Sequence, residues 1–215
     1  MSKDSFVDIN SWNRKDIFNF FSELSNPFYT VTFRQDVTSV YKYAKANSLS
    51  FYYCMCYLCT KAINSTDAFR YVIRGNEVYY LDGRNPSFTD LKDKSDTFHI
   101  VTLPLSEDIK TFCNIAKEKS LNQQVFIEMK EETDDLVYLS CLPWIDITAV
   151  TNERDLNGEE AKNDSIPRIC WGKYTDVNGK LELGISIEVN HRLIDGVHIG
   201  MFAKKLEELI KSLQY

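Results

Sequence analysis

The clearest alternation of apolar and polar residues lies near the carboxyl end of the chain. In residues 181–189, which run into the stretch ISIEVNHRLIDG, every second side chain is apolar. Alternate residues of a β-strand share one face of the sheet, so the pattern predicts a strand that buries Leu181, Leu183, Ile185, Ile187 and Val189. His191 continues this series. We therefore expect its imidazole to leave the end of the strand on the inward face.

The rest of the pattern predicts a mixture of helices and strands. Apolar residues at helical spacing predict helices over residues 12–24, 51–64 and 106–119, and a terminal amphipathic helix in VHIGMFAKKLEELIKSLQY. Asp36 is a candidate cap for another helix through VTSVYKYAKANS. Runs rich in β-branched and aromatic residues predict strands at FVDIN, PFYTVTF, FTDL, FHIVTLPL, VYLSCLPW and IDITAV.

Turn signals indicate how these elements connect. Gly75-Asn76 separates two β-rich arms, and Asn178-Gly179 lies inside a longer pair of arms, so both predict hairpins. Regular alternation of strands and helices is missing. We therefore expect an α/β protein of the α+β type, with a mixed, largely antiparallel sheet covered by helices, in a single domain over residues 1–215. The polar stretch 151–165 lacks aromatic residues and predicts a mobile surface loop.

Charge and cysteine content narrow the function classes. The 215 residues carry 25 Lys and Arg against 31 Asp and Glu, a net charge of −6, which disfavours nucleic-acid binding. No apolar run approaches the roughly 18 to 20 residues that cross a membrane, and the polar start MSKDSFVDIN is unlike a secretory signal. We expect a cytoplasmic protein. Cys56 and Cys59 have redox or metal-ligand spacing, but their strongly apolar surroundings predict buried side chains instead.

Candidate chemistry is concentrated in HRLIDG. The imidazole of His191 has an ordinary pKa of roughly 6.5, which suits a general base near neutral pH. Asp195 directly precedes the terminal helix, where an aspartate acts as an N-cap. Spacing alone leaves an alternative for His191, namely a core histidine with both ring nitrogens satisfied, or one that caps the strand.

Several motifs, in order, resemble the chloramphenicol acetyltransferase family. HRLIDG is similar to its H-x-x-x-D-G signature, VDINSWNRKDIFNFF to its opening, FRYVIRGNEVYYLD to its central hairpin, LSCLPWIDIT to its S-x-x-P-W segment, and GKYTDVNGKLELGISIEVNH to its penultimate hairpin. The resemblance implies an acetyl-CoA-dependent O-acetyltransferase that acts on a small hydroxylated acceptor and needs no metal. It also implies a homotrimer with active sites between subunits.

The resemblance assigns roles to individual residues. His191 matches the base that takes the proton of the acceptor hydroxyl, so that the oxygen attacks the thioester directly, and Ser140 matches the hydroxyl that stabilises the oxyanion. Asp195 and Arg14 match a charged pair that supports the site. The CoA side is assigned Lys173, Tyr174 and Cys170, and the acceptor side is assigned Phe20, Phe21 and Tyr29.

Three departures from the family pattern matter for function. Asn190 replaces the first of two successive histidines, and Cys170 replaces a common threonine. The segment after Pro-Trp is longer and more polar than usual. Because burying unpaired charges is costly, we expect the loop 151–165 to lie at the rim of the acceptor pocket. We also expect an acceptor that is more polar than chloramphenicol.

The sequence is also compatible with other functions. The same fold and base could acetylate another small alcohol, in which case antibiotic resistance would not be its role. Cys170, His191 and Asp195 could instead form a cysteine hydrolase. A non-catalytic ligand-binding trimer is disfavoured because His191, Ser140, Asp195 and Arg14 are present together. Acyltransferase cores of 2-oxo acid dehydrogenase complexes share the signature, but they carry lipoyl domains for which we see no room.

Overall fold

A computed structural model describes residues 4–92, 95–158 and 160–214. Short 3-10 helices cover Asp67–Arg70, Met129–Glu131 and Ala161–Asn163. The other elements, in chain order, are β1 (Ser5–Val7), α1 (Lys15–Ser22), β2 (Phe28–Asp36), α2 (Thr38–Ala46), α3 (Phe51–Asn64), β3 (Tyr71–Arg74), β4 (Glu77–Tyr80), β5 (Asn85–Leu91), β6 (Phe98–Thr102), α4 (Ile109–Asn122), β7 (Leu136–Leu142), β8 (Arg168–Gly172), β9 (Thr175–Val177), β10 (Lys180–Asn190) and α5 (Gly196–Lys211).

The described strands form a large sheet and a small one. The large sheet has the order β2-β10-β8-β7-β5-β6, with β9 paired to β10. Strand β10 is antiparallel to β2, β8 and β9, and β5 is antiparallel to β6, whereas β7 is parallel to both β5 and β8. The small sheet, β1-β4-β3, is antiparallel. The predicted mixed, largely antiparallel fold with helices is confirmed.

Strand β10 is the structural centre of the fold because both of its faces are covered. Its apolar series is buried as predicted, with Leu183, Ile185 and Ile187 each 0% exposed, and these side chains pack in one core with residues of α3 and α5. On the opposite face Ser186 and Glu188 are also buried. The sequence pattern indicated the first face, but the cover over the second comes from an irregular part of the chain.

The segment 145–150 covers this second face of the sheet. The sequence predicted a strand here, and that prediction is wrong. The segment crosses β8 and β10 at two glycines: a Cβ on Gly172 would lie 2.7 Å from the Ile145 carbonyl oxygen, and one on Gly184 would lie 2.5 Å from that of Ile147. The Val150 amide donates to Ser186 Oγ at 3.0 Å. Because the glycines allow direct backbone contact with the sheet, the segment lies across its strands instead of adding one.

Two predicted helix starts also differ from the structure. Helix α1 begins at Lys15, because Trp12 belongs to a preceding turn and packs on Tyr71 with ring centroids 4.9 Å apart. Helix α2 has Val37 at its N-cap, while the Asp36 carboxylate accepts from the backbone amide of Thr38 at 3.0 Å. Apolar spacing did not distinguish a packed turn residue from a helical one.

The cysteines are reduced and mostly buried. Cys56 and Cys59 are 0% exposed, as their apolar surroundings predicted. Burial raises the pKa of both thiols, to about 12 at Cys59. Both therefore stay protonated at neutral pH and act as small apolar side chains. Among the described residues, no helix combines the length and apolarity required to span a membrane.

Candidate active site

His191 is the first residue after β10, and its backbone is fixed on both sides. Its amide donates to the Pro27 carbonyl at 2.8 Å, and its own carbonyl accepts from Arg14 Nη2 at 2.8 Å. The imidazole stacks on Phe21, with ring centroids 3.9 Å apart, and contacts Tyr29 at 4.2 Å. The side chain is 31% exposed. The ring therefore lies at the open edge of the apolar face, where it is oriented but accessible.

The surroundings of His191 keep its imidazole neutral. Partial burial lowers the pKa of the ring below its ordinary value, and the charge of Arg14 lowers it further, while Asp195 opposes both. The Asp195 Oδ1 atom lies 3.5 Å from His191 Nε2, beyond ordinary hydrogen-bond distance. A neutral imidazole with one bare nitrogen is the form that a general base requires.

The supporting charges lie directly behind His191. The Arg14 side chain is only 8% exposed. Its Nη1 and Nη2 atoms each donate a hydrogen bond to the Asp195 carboxylate, and the Nη2–Oδ1 distance is 2.7 Å. Arg14 Nε also donates to the Arg192 carbonyl at 2.8 Å. Hydrogen bonding to Arg14 lowers the pKa of Asp195, so the carboxylate stays ionised. The structure thus brings together Arg14, Asp195 and the backbone of His191.

Asp195 occupies the N-cap of α5, as its position in HRLIDG indicated. Its own backbone amide donates to His198 Nδ1 at 2.9 Å. His198 had no predicted role. The signal was present, since a polar side chain three residues after an N-cap is the spacing of a capping box.

The two neighbours of His191 hold the loop 151–165. Asn190 Nδ2 donates to the carbonyls of Lys162 at 2.8 Å and Asp164 at 3.1 Å, and Arg192 Nη1 donates to Asn163 Oδ1 at 2.8 Å. Lys162 Nζ donates to the carbonyl of Ser22, the last residue of α1, at 3.0 Å. The loop is therefore attached to both sides of His191 and to the helix that carries Phe21.

Two charged residues of this loop, Arg154 and Asp164, form ion pairs that tie part of it to the sheet, although residues 155–158 are exposed as expected for a surface loop. The Arg154 side chain is 7% exposed, lies 2.5 Å from Asp164 Oδ2 and Glu188 Oε1, and stacks 3.6 Å from the centre of the Phe28 ring. Burial acts to raise the pKa of Glu188, but hydrogen bonds from Arg154 and the Asn152 amide, with the charge of Arg154, outweigh it, so the pKa is lowered. Loop composition indicated the charges. It could not indicate that their partner was an inward-facing glutamate of β10.

Ser140 is distant from His191 within one chain. It lies on β7, aligned with Cys170 on β8 and, through it, with Ser186 on β10. These residues alternate with the core-facing series, so they face the opposite side of the sheet from His191. Ser186 precedes His191 by five positions, which corresponds to roughly 17 Å of strand. A single chain therefore does not place Ser140 beside the imidazole.

Cys170 shares the face of Ser140, on the opposite side of the sheet from His191, and is aligned with Ser186, five positions before His191. It is only 3% exposed, and burial raises the pKa of its thiol. A nucleophilic cysteine needs the opposite shift and a neighbouring base. The chain therefore does not assemble the hydrolase arrangement of Cys170, His191 and Asp195. Burial also leaves the Cys170 side chain little surface for direct contact with CoA.

The remaining candidates lie in two aromatic groups. Tyr174 is half-buried, with its ring centroid 5.6 Å from Tyr41 and 5.4 Å from Phe51, and Lys173 beside it is exposed. Phe20 is 64% exposed and meets Phe21 edge-on at 5.1 Å. Phe21 and Tyr29 contact His191 directly, whereas Phe20 extends the same aromatic surface outward. No three potential metal ligands converge anywhere in residues 4–92, 95–158 and 160–214.

Chloramphenicol acetyltransferases are among the known proteins whose sequences this chain resembles. Chloramphenicol acetyltransferase 3 of Escherichia coli is 27% identical over 209 residues, which covers 95% of this chain and 96% of that protein. The chloramphenicol acetyltransferase of Staphylococcus aureus is 28% identical over 207 residues, 94% of each chain.

The same relationship holds in three dimensions. A solved chloramphenicol acetyltransferase matches with a TM-score of 0.87 at 24% identity, covering 96% of this chain and 99% of that chain. A dihydrolipoamide acetyltransferase of Azotobacter vinelandii shares the fold at a TM-score of 0.68 and 16% identity, covering 92% of this chain and 86% of that chain. The model of the chloramphenicol acetyltransferase family matches residues 3–207 of this chain. The protein is an acyltransferase, and the chain belongs to the chloramphenicol acetyltransferase family.

Proposed function

We propose that the protein transfers the acetyl group of acetyl-CoA to a hydroxyl of a small acceptor, with His191 as the general base. The observation that carries this proposal is the neutral, partly exposed imidazole held by Phe21, Tyr29 and the Arg14–Asp195 pair. His191 takes the hydroxyl proton as the acceptor oxygen attacks the thioester carbonyl. The tetrahedral intermediate then collapses, the carbon–sulfur bond breaks, and the CoA sulfur leaves with the proton returned from His191.

Ser140 is proposed to stabilise the oxyanion of that intermediate from a neighbouring subunit. Its hydroxyl and the His191 ring lie on opposite faces of the sheet and far apart along it, so one chain supplies only half of the site. Trp144 and Ile145, which follow β7, are 67% and 57% exposed. Exposed apolar side chains beside Ser140 suit a protein contact. These features support the homotrimer with shared active sites that the family resemblance implies.

The CoA side is proposed to lie at the β8–β9 connection. Lys173 offers an exposed cation for a phosphate group, and the half-buried Tyr174 offers an aromatic face backed by Tyr41 and Phe51. Cys170 lies one residue beyond the buried Ile169 and aligned with Ser140. Its proposed contribution is to shape the wall behind Ser140, since its thiol is itself covered.

The acceptor side is proposed to combine the aromatic surface of Phe20, Phe21 and Tyr29 with the loop 151–165. An apolar drug such as chloramphenicol needs a mostly apolar pocket. Here the loop is tied to Asn190 and Arg192 on either side of His191, and it presents polar backbone and side-chain groups there. We therefore propose a small acceptor alcohol that is more polar than chloramphenicol. Chloramphenicol, the acceptor in the names of the relatives, is the second candidate.

A CoA-release assay with acetyl-CoA and a panel of hydroxylated acceptors, chloramphenicol included, tests the proposal. The wild type should release CoA with at least one acceptor. His191→Ala should abolish release and still bind acetyl-CoA, while Ser140→Ala should reduce the rate by about 10- to 1000-fold. Phe98→Ala, which alters an exposed side chain on the remote edge strand β6, is the matched control. More than about a tenth of wild-type activity in His191→Ala would contradict the mechanism.

A further inference from the structure

His198 stands at the third position of α5 and completes the cap of that helix. The first amides of a helix lack partners within it. In a capping box, the side chain at the third helical position accepts a hydrogen bond from the backbone amide of the N-cap residue, and glutamate or glutamine usually provides it. In this chain His198 Nδ1 accepts from the Asp195 amide at 2.9 Å.

A histidine in this position makes the cap depend on protonation. The neutral ring has a lone pair on Nδ1 that can accept, provided its proton is on Nε2. The imidazolium carries hydrogens on both nitrogens and can only donate. Proton uptake would therefore set an N–H of the ring against the N–H of Asp195 and break the hydrogen bond.

The consequence for the active site follows through two contacts. The Asp195 amide is held by His198, and its carboxylate is held by both Nη atoms of Arg14. The same guanidinium donates to the carbonyl of His191 at 2.8 Å. A cap that loosens at Asp195 therefore moves the group that fixes the backbone of His191.

We propose that His198 is a positioning residue for the base His191, and that proton uptake by His198 releases the Asp195–Arg14 support and adds a second acid limb to the reaction. The proposal rests on the proposed function of His191. It adds a residue to which neither the sequence motif nor the family comparison assigned a role.

The charges around His198 agree with a neutral ring at neutral pH. Arg14 faces it from the start of α1 and Asp195 from its own turn, and burial together with Arg14 lowers the pKa of His198 against the opposing effect of Asp195. A cavity of about 670 Å³ that His198 borders also presents the side chains of Asp67, Lys204, Lys205 and Glu208. The cap is thus formed at neutral pH and is lost only as the pH falls through the lowered pKa of His198, which lies below the ordinary pKa of histidine.

Two substitutions separate the acceptor function of His198 from its protonation. Glutamine restores an acceptor oxygen that does not titrate, whereas alanine removes the acceptor. At pH 8, His198→Ala should lower kcat about tenfold with the KM for acetyl-CoA unchanged, and His198→Gln should keep kcat within about twofold of the wild type. On the acid side, log kcat/KM of His198→Gln should fall with a slope of about one, whereas that of the wild type should fall more steeply over about one pH unit, by an additional factor of about ten.

A nuclear magnetic resonance titration gives a readout that does not need turnover. The amide proton of Asp195 should move sharply on acidification in the wild type and stay in place in His198→Gln. A His198→Ala variant with wild-type kcat, or a His198→Gln variant that keeps the steeper acid fall of the wild type and the amide shift, would overturn the proposal. If alanine prevents folding, the comparison of glutamine with the wild type decides. Failure of every acceptor to yield CoA would count against the proposed function, and the amide titration would still test His198.

Discussion

Arg14 and Asp195 lie 181 positions apart in the chain and form a two-pronged ion pair, and the same guanidinium holds the backbone carbonyls of His191 and Arg192. Four hydrogen bonds from one nearly buried side chain thus fix the turn between β10 and α5. A single arginine at the amino end of the chain orients the candidate base at the carboxyl end.

Replacing Arg14 by lysine should show whether its positive charge alone or its two hydrogen bonds to Asp195 support the site. Arg14→Lys keeps the positive charge but cannot make the planar, two-pronged contact, so we expect kcat to fall by about 100-fold. The protein should also lose about 2 kcal/mol of its free energy of unfolding, the scale of hydrogen bonds to charged groups. Steady-state kinetics and urea unfolding measure the two effects. A lysine variant with wild-type kcat would show that the geometry of the pair does not matter.

The pH dependence of activity should follow the lowered pKa of His191. The ring is neutral, and active as a base, at pH values above its ordinary pKa of roughly 6.5. The rate kcat/KM should stay constant as the pH falls from 8 to about that value, and it should drop only at lower pH. A rate that rises on acidification would exclude a neutral histidine base.

The stability of the fold should change with pH in the same direction. The pKa values of His191 and His198 are both lowered in the folded chain, so the unfolded chain binds more protons as the pH falls below the ordinary histidine pKa. The free energy of unfolding should therefore decrease on acidification from that point, until the pH lies below the folded pKa values. His198→Gln should show a smaller decrease in urea unfolding experiments than the wild type.

The buried thiol of Cys170 provides a test between acyl transfer and cysteine hydrolysis. Cys170→Thr introduces the residue that is common at this position in the family. If the thiol takes no part in catalysis, kcat/KM of this variant should be within about twofold of the wild-type value. Alkylating reagents should leave the native enzyme active because the thiol is covered and its pKa is raised. Rapid inactivation that substrate prevents, together with an inactive threonine variant, would favour a thiol nucleophile.

The loop 151–165 should control the acceptor and leave acetyl-CoA unaffected. Deleting residues 155–158 removes its exposed tip but keeps Arg154 and the contacts of Asn190 and Arg192. We expect a changed KM for the acceptor and an unchanged KM for acetyl-CoA. The intact enzyme should use chloramphenicol with a kcat/KM well below about 10⁷ M⁻¹s⁻¹. An efficiency at or above that value would show that the loop does not disfavour the drug.

Local patterns predicted the fold better than they predicted its contacts. The alternation in residues 181–189 identified the buried face of β10, and Asn178-Gly179, with φ values of 56° and 80°, forms the predicted tight turn. The strand expected at 145–150 was wrong because its backbone lies on Gly172 and Gly184, which are distant in sequence. No local pattern encodes which glycine another segment will cover.

The candidate site shows the same limit. His191 and Asp195 stand four residues apart, so one motif indicated both. Arg14 entered only through the family resemblance, since nothing in its own neighbourhood points to residue 195. The burial of Arg154 against Glu188 was not predictable, because loop composition gives charges without their partners. The position of His198, three residues after Asp195, is that of a capping-box residue, but this position is usually occupied by glutamate or glutamine.

Mixed trimers test most directly whether His191 of one subunit and Ser140 of another form each active site. His191→Ala chains, which should be inactive alone, and Ser140→Ala chains, which should retain at most about a tenth of wild-type activity, should be unfolded together in equal amounts and refolded. Sites that combine His191 from one chain with Ser140 from the other would then be intact, and random assembly should give roughly one quarter of the wild-type CoA release. Mixing without joint refolding is the control and should give only the residual CoA release of the separate Ser140→Ala variant. If the jointly refolded trimers stay as inactive as the separate variants, the shared site is contradicted.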